Sequence, residues 1–353
     1  MSRNSKEKGK ISWQSPSNIA LIKYWGKHGN QLPCNPSLSM SLNSSVTTTT
    51  LSYNYKAKDK NVDLEFLFDG ERTPLFEKRV DNYLNNLLKE YPFLSDYHLI
   101  IESSNTFPHS SGIASSASAY SALALCIMSL KKICLRDMDR KDFFQGASDL
   151  ARLGSGSASR SVYGGYTIWG KVEGFTNYSD EYASPLKSTI HPVFHTFYDA
   201  ILIVSGENKK VGSSAGHSLM EKHPYAKSRY QQAMNHTIEM IYVLETGNLD
   251  RFIEIVENEA LTLHGLMMSS DPGYILIKRE TIEIIERIRK FRQTNKIPVT
   301  FTLDAGSNVH LLYPESYRKE VIKFIEDELV ALCDAAQWID DSIGRGPKLL
   351  NIQ

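Results

Sequence analysis

The chain has 353 residues, enough for two domains, and its 41% hydrophobic and 23% charged residues are the mix of an ordinary soluble globular protein. Lys and Arg number 40, as do Asp and Glu, so the formal net charge is +0. This balance argues against nucleic acid or an acidic membrane as a partner, although a few local cations suffice to bind a small anion.

The cysteines and the N-terminus predict where the protein is found. The four cysteines, Cys34, Cys126, Cys134 and Cys333, form no CxxC pair and no zinc spacing, and scattered cysteines suit a reducing compartment. Residues 1–10 are polar and basic, which argues against a secretory signal and predicts a disordered tail. Because no run of about 18 apolar residues occurs, we expect a cytoplasmic protein without a membrane span.

Strands and turns dominate the predicted first half of the chain. Alternating Thr and Tyr predict a strand over 46–55, with a hairpin partner over 62–68. Helical periodicity follows over 76–91. The other elements predicted in this half are a strand at 98–102, an apolar helix from 117 to about 130, a helix at 142–153 and a strand at 163–172.

Helical patterns dominate the second half. The predicted helices are 213–244, 249–267, 275–291 and 315–333, and the predicted strands are 200–204, 299–303 and 309–313. Mixed runs of helix and strand favour an α+β architecture over a doubly wound sheet. The stretch 185–198 lacks strong periodicity, so we predict an N-terminal domain at 11–190 and a C-terminal domain at 191–353.

A run of small residues, from Ser110 to Ser116, precedes the apolar helix of the first half. Gly112 permits a tight turn, and the helix N-terminus offers unpaired N–H donors and partial positive charge to a phosphate. Ser115 and Ser116 add hydroxyls for phosphate or magnesium. A plain helix N-cap explains the same residues, and neither a P-loop nor a Rossmann glycine pattern is present. Both interpretations stay open on this segment alone.

Three further clusters bring together residues that can carry chemistry. Segment 15–27 (SPSNIALIKYWGK) has two lysines and two aromatic residues beside a glycine. Segment 154–161 (GSGSASRS) is a second loop of small residues with an arginine, and segment 304–308 (DAGSN) puts an acid on a glycine turn. Each cluster alone is more simply a solvated charge, a surface ion pair or a turn. Their joint occurrence is what points to a site.

Together the four clusters resemble the GHMP kinase superfamily and, within it, the diphosphomevalonate decarboxylase family. Segment 15–27 resembles the family pattern A-P-x-N-I-A-x-x-K-Y-W-G-K, with Ser15 in place of Ala, and segment 32–39 resembles L-P-x-N-x-S-L-S. Segment 105–117 resembles the phosphate loop N-x-F-P-x-x-x-G-L-A-S-S-A, with Ile113 for Leu.

The two remaining clusters extend the resemblance. The family's G-S-G-S-A-x-R-S is intact at 154–161, and its D-A-G-P-N turn is found at 304–308 with Ser307 for Pro. The match therefore runs in order over most of the chain, from about residue 12 to residue 314. An order of this kind makes separate, unrelated explanations for the four clusters improbable.

The resemblance implies a two-domain α+β GHMP kinase fold. Its N-terminal domain would be like ribosomal protein S5 domain 2, its C-terminal domain would be ferredoxin-like, and the active cleft would lie between them. The implied reaction converts ATP and (R)-5-diphosphomevalonate to isopentenyl diphosphate, CO2, ADP and phosphate through transient 3-O-phosphorylation, with Mg²⁺ as cofactor. This step belongs to the mevalonate pathway of isoprenoid biosynthesis. A homodimer is also implied.

Three residues would form the catalytic centre that the resemblance implies. Asp304 would orient or deprotonate the 3-hydroxyl of the substrate. Lys23 would pair with that carboxylate, keep it ionised and soften developing charge. Arg160 would hold the substrate carboxylate, because its planar fork matches one.

The resemblance also implies two sets of binding residues. The set for the substrate is Asn18, Tyr24, Lys27, Ser155, Ser157, Arg160, Ser213 and Ser214. The set for ATP is Asn105, Ser110, Ser111, Gly112, Ile113, Ala114, Ser115 and Ser116, with Ser116 also a candidate magnesium ligand. His109 and His217 lie inside motif segments, and no role is assigned to them.

Three alternative functions stay open. Gly212 and His217 depart from the family's V-S-S-x-x-G-M pattern, which leaves room for a decarboxylase of 5-phosphomevalonate. A mevalonate-type GHMP kinase without decarboxylation is the second alternative, but related 3-kinases are expected to lack part of the Lys23 and Asp304 set. The third is a non-catalytic nucleotide-binding module, which would need neither this acid nor Arg160.

Overall fold

The computed structural model describes residues 7–56, 59–108, 113–135, 138–206 and 213–353. Of these, residues 213–215 are described by their backbone alone. Its strands are β1 (Lys8–Ile22), β2 (Lys27–His28), β3 (Leu32–Pro33), β4 (Ser37–Tyr55), β5 (Asp63–Phe68), β6 (Glu71–Arg72), β7 (Tyr97–Asn105), β8 (Tyr166–Trp169), β9 (Ala183–Pro185), β10 (Phe197–Leu202), β11 (Thr300–Thr302), β12 (Val309–Pro314), β13 (Trp338–Ser342) and β14 (Lys348–Ile352). Its helices are α1 (Pro74–Leu87), α2 (Ser115–Leu135), α3 (Arg140–Gly154), α4 (Ala158–Ser161), α5 (Ser213–Leu219), α6 (Ala226–Thr246), α7 (Leu249–Met268), α8 (Arg279–Asn295) and α9 (Arg318–Phe324).

The first sheet has eight strands in the order β14-β1-β4-β7-β5-β6, with β8 on β4 and β9 on β8. The two longest strands, β1 and β4, pair antiparallel from Lys8 opposite Asn54 to Ile22 opposite Leu38. One face of this sheet is covered by α2, to which β1 is joined by a hydrogen bond from Trp13 Nε1 to Ser129 Oγ at 2.9 Å. The first half of β1 is thereby fixed beside the C-terminal half of α2.

Helix α2 is apolar on almost every side because it is a core helix. By length and composition it could cross a membrane, but 67% of its most apolar stretch is buried inside the protein. Its side chains join one hydrophobic cluster with those of α1, α3 and the first sheet. The described residues contain no other helix that meets the same test.

The second sheet is antiparallel and has the strand order β11-β12-β10-β13. Helices α8 and α9 pack on it around Phe301, Ile288 and Phe324. Asp341 on β13 ties this sheet to the first, since its carboxylate accepts three backbone N–H groups from residues 43–45 at 2.7–2.9 Å. The two sheets are therefore joined by buried polar contacts as well as by the chain.

The structure confirms most predicted elements, but it corrects the predicted hairpin. The strand predicted over 62–68 is β5, and it pairs in parallel with β7 instead of antiparallel with β4. Helix α1 lies between the two strands and serves as the crossover that a parallel pair requires. The alternation of β5 could not show this, because it identifies a strand without its neighbour.

Two helices predicted as continuous are interrupted. The helix predicted over 213–244 breaks between α5 and α6 around Pro224, whose ring leaves no N–H for a helical hydrogen bond. The helix predicted over 315–333 is helical as α9 and then widens over Ile325–Leu329. This wide turn keeps Ile325 and Leu329 together in the core.

Both ends of the chain also differ from the prediction, and both contribute to the first sheet. Residues 8–10, predicted as part of a disordered tail, are the first residues of β1. Strand β14, which was not predicted, returns from the C-terminal part of the chain and pairs with β1 through residues 11–14. The division into domains at residues 190 and 191 stays a prediction.

Candidate active site

Lys23, Arg160 and Asp304 come together where the two sheets meet. Lys23 follows the last residue of β1, Arg160 lies on the short helix α4, and Asp304 follows β11. Lys23 Nζ lies 3.1 Å from Asp304 Oδ1. Lys23 and Arg160 are only 1% and 3% exposed, whereas the Asp304 side chain is 25% exposed. The carboxylate therefore faces the cleft with two buried cations behind it.

The charges of this group balance each other across the cleft. Burial lowers the pKa of Lys23, while Asp304 and Glu259 oppose that shift and Arg160 adds to it. Burial also lowers the pKa of Arg160 to about 10, again opposed by Asp304. Because two cations share one exposed carboxylate, this part of the cleft suits an anionic ligand.

Neighbouring side chains fix the direction of the Arg160 guanidinium. Its Nε donates to Asn18 Oδ1 at 3.3 Å, and its Nη1 donates to Ser37 Oγ. Asn18 Nδ2 in turn donates to Ser161 Oγ at 2.7 Å, which ties β1 to α4. Asn18, predicted to contact the substrate, thus lies behind Arg160 and holds it.

The Tyr24 ring packs between two other rings at the side of the cleft. Its centroid lies 4.7 Å from that of Trp169 and 4.1 Å from that of His217. Burial raises the pKa of Tyr24, so its hydroxyl stays protonated. The lining of this part of the cleft is therefore aromatic and neutral.

His217 is held in one tautomer by the backbone of the segment after β1. Its Nδ1 accepts the N–H of Gly26 at 3.0 Å, so its proton lies on Nε2. Burial, with Lys27 and Arg160 nearby, lowers the pKa of His217 to about 3. Gly26 has a φ of 96°, a left-handed conformation that favours glycine. Lys27 lies further out, and its Nζ donates to Gln31 Oε1 at 2.9 Å.

The two loops of small residues meet beside α2. Ser116 Oγ lies 3.2 Å from Ser155 Oγ, which lies 3.4 Å from Ser157 Oγ. Ile113 is anchored by the hydroxyl of Ser17, which donates to its carbonyl. Ala114 has a φ of 47°, and α2 begins one residue later. Hydroxyls from both predicted loops therefore line one wall at a helix N-terminus.

Several predicted residues cannot be compared with the geometry. Ser110, Ser111 and Gly112 of the predicted phosphate loop lie outside the described residues, as does His109. Ser213 and Ser214 are described by backbone only, at the start of α5. Their predicted contacts with ATP and substrate stay predictions.

A cavity of about 110 Å³ opens beside this wall, between β5, β7 and α2. Its walls are largely aromatic and aliphatic, and Ser103, Asn105 and Ser116 lie at its edge. The side-chain Oδ1 of Asn105 accepts a hydrogen bond from Thr47 Oγ1 at 2.7 Å. Phe66 and Phe68 of β5 supply apolar wall that the sequence motifs did not mark. The alternating aromatic residues of that strand were the only available signal.

The residues around the cleft fit a magnesium ion that arrives with a nucleotide. Within the described ranges, no three His, Cys, Asp or Glu side chains are grouped to hold a metal. Mg²⁺ keeps several waters and is bound through one or two carboxylates and substrate phosphates, so it needs no such cage. Ser116 Oγ at the start of α2 is a suitable hydroxyl for it.

Two charged residues beside Lys23 were missed by the sequence motifs. Glu259 on α7 accepts the backbone N–H of Lys23 at 2.8 Å, and Arg229 on α6 donates to the Lys23 carbonyl at 3.1 Å. Both are buried. Glu259 falls among apolar residues in an ordinary helical pattern, which offers no signal of its contact with a residue 236 positions away.

Two family models match the chain. The Diphosphomevalonate decarboxylase-like N-terminal domain matches residues 15–182, and the Mevalonate 5-diphosphate decarboxylase C-terminal domain matches residues 200–346. The chain belongs to the diphosphomevalonate decarboxylase family. A diphosphomevalonate decarboxylase of Ganoderma lucidum is 30% identical over 330 residues, which cover 88% of this chain and 80% of the relative.

Solved structures of this family share the fold. The mevalonate diphosphate decarboxylase of Staphylococcus aureus has a TM-score of 0.83 at 28% identity, covering 98% of this chain and 99% of its own. A structure described as MDDEF in complex with MVAPP, AMPPCP and magnesium has a TM-score of 0.80 at 26% identity and covers 97% and 99%. The predicted two-domain α+β GHMP kinase fold is confirmed.

Proposed function

We propose that this enzyme catalyses the ATP-dependent decarboxylation of (R)-5-diphosphomevalonate to isopentenyl diphosphate, CO2, ADP and phosphate. One observation carries the proposal: Asp304 faces the cleft at 3.1 Å from the buried Lys23, with Arg160 beside them. Family membership supports it, as does the similarity to a structure that holds MVAPP, AMPPCP and magnesium.

The reaction needs a good leaving group at a tertiary carbon. Asp304 accepts the proton of the 3-hydroxyl, and the oxygen attacks the γ-phosphorus of ATP and releases ADP. The C3–O bond then breaks and phosphate leaves with its electron pair. Loss of CO2 returns the electrons of the C–C bond to form the double bond. Isopentenyl diphosphate is the product, and no external oxidant is involved.

The two buried cations act on charges that change during these steps. Lys23 holds Asp304 ionised and in place for proton transfer. The Arg160 fork, fixed by Asn18 and Ser37, is suited to the substrate carboxylate and the nearby 3-oxygen. Both cations are already oriented before the reaction begins, which is how electrostatic stabilisation becomes effective.

The adenine base of ATP is proposed to occupy the cavity beside α2, with the phosphates outside it at the start of that helix. The apolar walls around Phe66 and Phe68 suit a flat base, and the N-terminus of α2 suits the phosphates. Ser115 and Ser116 add hydroxyl contacts. A bound magnesium ion would neutralise part of the phosphate charge.

The substrate's diphosphate is proposed to lie toward Tyr24, Lys27 and the hydroxyls of Ser155 and Ser157. Ser213 and Ser214, at the start of α5, are proposed to contact the same diphosphate. We also propose that the enzyme is a cytoplasmic homodimer. The four cysteines form no disulfides with one another, which fits a reducing compartment.

Purified protein given ATP, magnesium and 5-diphosphomevalonate should release CO2 and ADP in equal amounts. Formation of ADP without CO2 would instead identify a kinase. If neither ADP nor CO2 is formed, the protein is a binding module. A parallel assay with 5-phosphomevalonate tests whether the substrate must carry a diphosphate. We expect a much lower kcat/KM for the monophosphate, because it lacks one charged group for the proposed tail contacts.

A further inference from the structure

A buried ion pair lies directly behind the catalytic lysine. The Glu259 carboxylate and the Arg229 guanidinium form two parallel hydrogen bonds, 2.7 Å from Nη1 to Oε1 and 2.5 Å from Nη2 to Oε2. Their side chains are 0% and 1% exposed. His236 donates from Nδ1 to the same carboxylate at 2.7 Å. None of the three reaches the cleft carboxylate, so the pair has no direct part in the reaction proposed above.

Each polar atom of the Lys23 main chain is bound by a side chain. Its N–H donates to Glu259 Oε2 at 2.8 Å. Its carbonyl accepts Arg229 Nη2 at 3.1 Å and Asn35 Nδ2 at 3.0 Å. Lys23 is the first residue beyond β1, so its N–H and C=O have left the sheet and need partners when buried. The ion pair supplies one for each group.

A buried ion pair is weak evidence for stability, because removing two charges from water costs about as much as their attraction returns. The Glu259–Arg229 pair therefore calls for another explanation. Glu259 Oε2 and Arg229 Nη2, which bond each other, are also both directed at the main chain of one residue, Lys23. The same residue presents its ammonium to Asp304 on the other side.

We propose that Glu259, with Arg229, is a positioning residue that fixes the Lys23 backbone so that its ammonium meets Asp304. This inference rests on the proposed function, in which the Lys23–Asp304 pair carries the chemistry. It adds that helices α6 and α7 of the second half align the residue that directly follows β1 of the first sheet. The His217 contact to Gly26 holds the same segment three residues further on.

The electrostatic surroundings of Lys23 make the proposal testable by pH. The charged and titratable groups that face it are Asp304 after β11, Glu259 on α7, Arg160 on α4, and Arg229 and His236 on α6. Glu259 raises the pKa of Lys23 against the effect of burial. Removing the negative charge of Glu259 lowers that pKa further, so the ammonium is lost at a lower pH.

The test replaces Glu259 by Gln, which keeps an acceptor oxygen and removes the charge. We expect kcat for CO2 release to fall about 10²-fold, since small displacements of catalytic groups have effects of that size. The KM values should change little. The alkaline limb of the kcat profile should move to lower pH.

Glu257→Gln is the matched control. Glu257 lies on the same helix, its side chain is 8% exposed, and it pairs with Arg289 and Arg292 without touching Lys23. This control should match the wild type in kcat and in its alkaline limb, even if it melts earlier. Equal kcat and equal pH profiles in Glu259→Gln and Glu257→Gln would overturn the proposal.

A second variant keeps the proposal testable if Glu259→Gln does not fold. Glu259→Asp keeps the charge opposite Arg229 but withdraws the carboxylate by one methylene from the Lys23 N–H. We expect a loss in kcat of about 10-fold or more; wild-type kcat would overturn the proposal. An inactive wild type would refute the proposed function instead, so the two failures are distinguishable.

Discussion

The two walls of the cleft are built from different chemistry. On the wall beside α2, Ser116, Ser155 and Ser157 offer neutral hydroxyls at exposed or half-buried positions. The charged wall consists of Lys23 and Arg160, which are both buried, and Asp304 is the counter-ion that they share. A neutral hydroxyl that is lost can be replaced by water or a neighbour. A buried ion that loses its partner leaves an uncompensated charge.

This difference predicts a graded response to substitution. Changes on the charged wall should affect kcat strongly, because they alter groups that act in the transition state. Changes on the hydroxyl wall should affect mainly KM values, that of ATP at Ser116 and that of the substrate at Ser155 and Ser157, since ordinary hydrogen bonds contribute about 0.5–1.5 kcal/mol each. The predictions below follow that order.

The largest effect is expected for Asp304→Asn. Without the carboxylate the 3-hydroxyl has no proton acceptor, and kcat should fall about 10³-fold or more. The measurement is CO2 release under saturating substrates, with thermal unfolding to verify the fold. Asp341→Asn is the control, because Asp341 is a buried acid whose carboxylate accepts backbone N–H groups away from the cleft. Activity of Asp304→Asn near that of the wild type would reject the assigned role.

Arg160→Lys is expected to lower kcat about 10²-fold, because one ammonium cannot replace a fork that bonds Asn18, Ser37 and a substrate carboxylate together. Arg292→Lys, which disturbs a partly buried arginine that pairs with Glu257 and the Val299 carbonyl, should leave kcat unchanged. If both variants lose activity equally, the orientation of Arg160 is not what matters.

Ser116→Ala should raise the KM for ATP by about 10-fold or less and change kcat little, as expected for one neutral hydrogen bond. Ser129→Ala on the same helix is matched to it. That residue bonds Trp13 and the Leu125 carbonyl in the core, so its loss should lower the melting temperature without changing the KM for ATP. A large loss of kcat in Ser116→Ala would break the contrast between the walls.

The smallest expected change concerns the alkaline side of the pH profile. Lys23 is charged below its pKa, and burial lowers that pKa, so activity should fall at a lower pH than an exposed lysine would dictate. Arg160, with a pKa of about 10, also loses its charge at alkaline pH. The variant Lys23→Arg separates the contributions of Lys23 and Arg160. An arginine at position 23 keeps its charge to higher pH than the lysine, so the alkaline fall in residual activity should move to higher pH. An unchanged limb would assign it to another group.

Sequence patterns predicted much of the fold, because most elements are marked by local periodicity. The long apolar α2 and the amphipathic α7 lie where expected. Strand pairing was harder to predict, since alternation does not indicate which strand lies beside a given one. Strand β5 pairs with β7, and β14 pairs with β1 from the far end of the chain. Both pairings depend on tertiary contacts, and that of β14 with β1 joins residues hundreds of positions apart.

The site was predicted from motifs, and the structure shows what the motifs omit. Lys23, Arg160 and Asp304 each stand in a distinctive segment, and they meet as expected. Glu259 stands in none, because a single acid on the buried face of a helix has no local sequence pattern. Its contact with Lys23 exists only after both halves of the chain have folded.

Strand β14 sets a limit on how the protein can be divided. Residues 11–14 of β1 have β4 on one side and β14 on the other, so a fragment covering 11–190 would leave that side of β1 unpaired. An open strand edge is a template for aggregation. During synthesis on the ribosome, the first strand likewise waits for one of the last segments before its hydrogen bonds are complete. Expression of the N-terminal half alone therefore calls for a fused copy of 348–352.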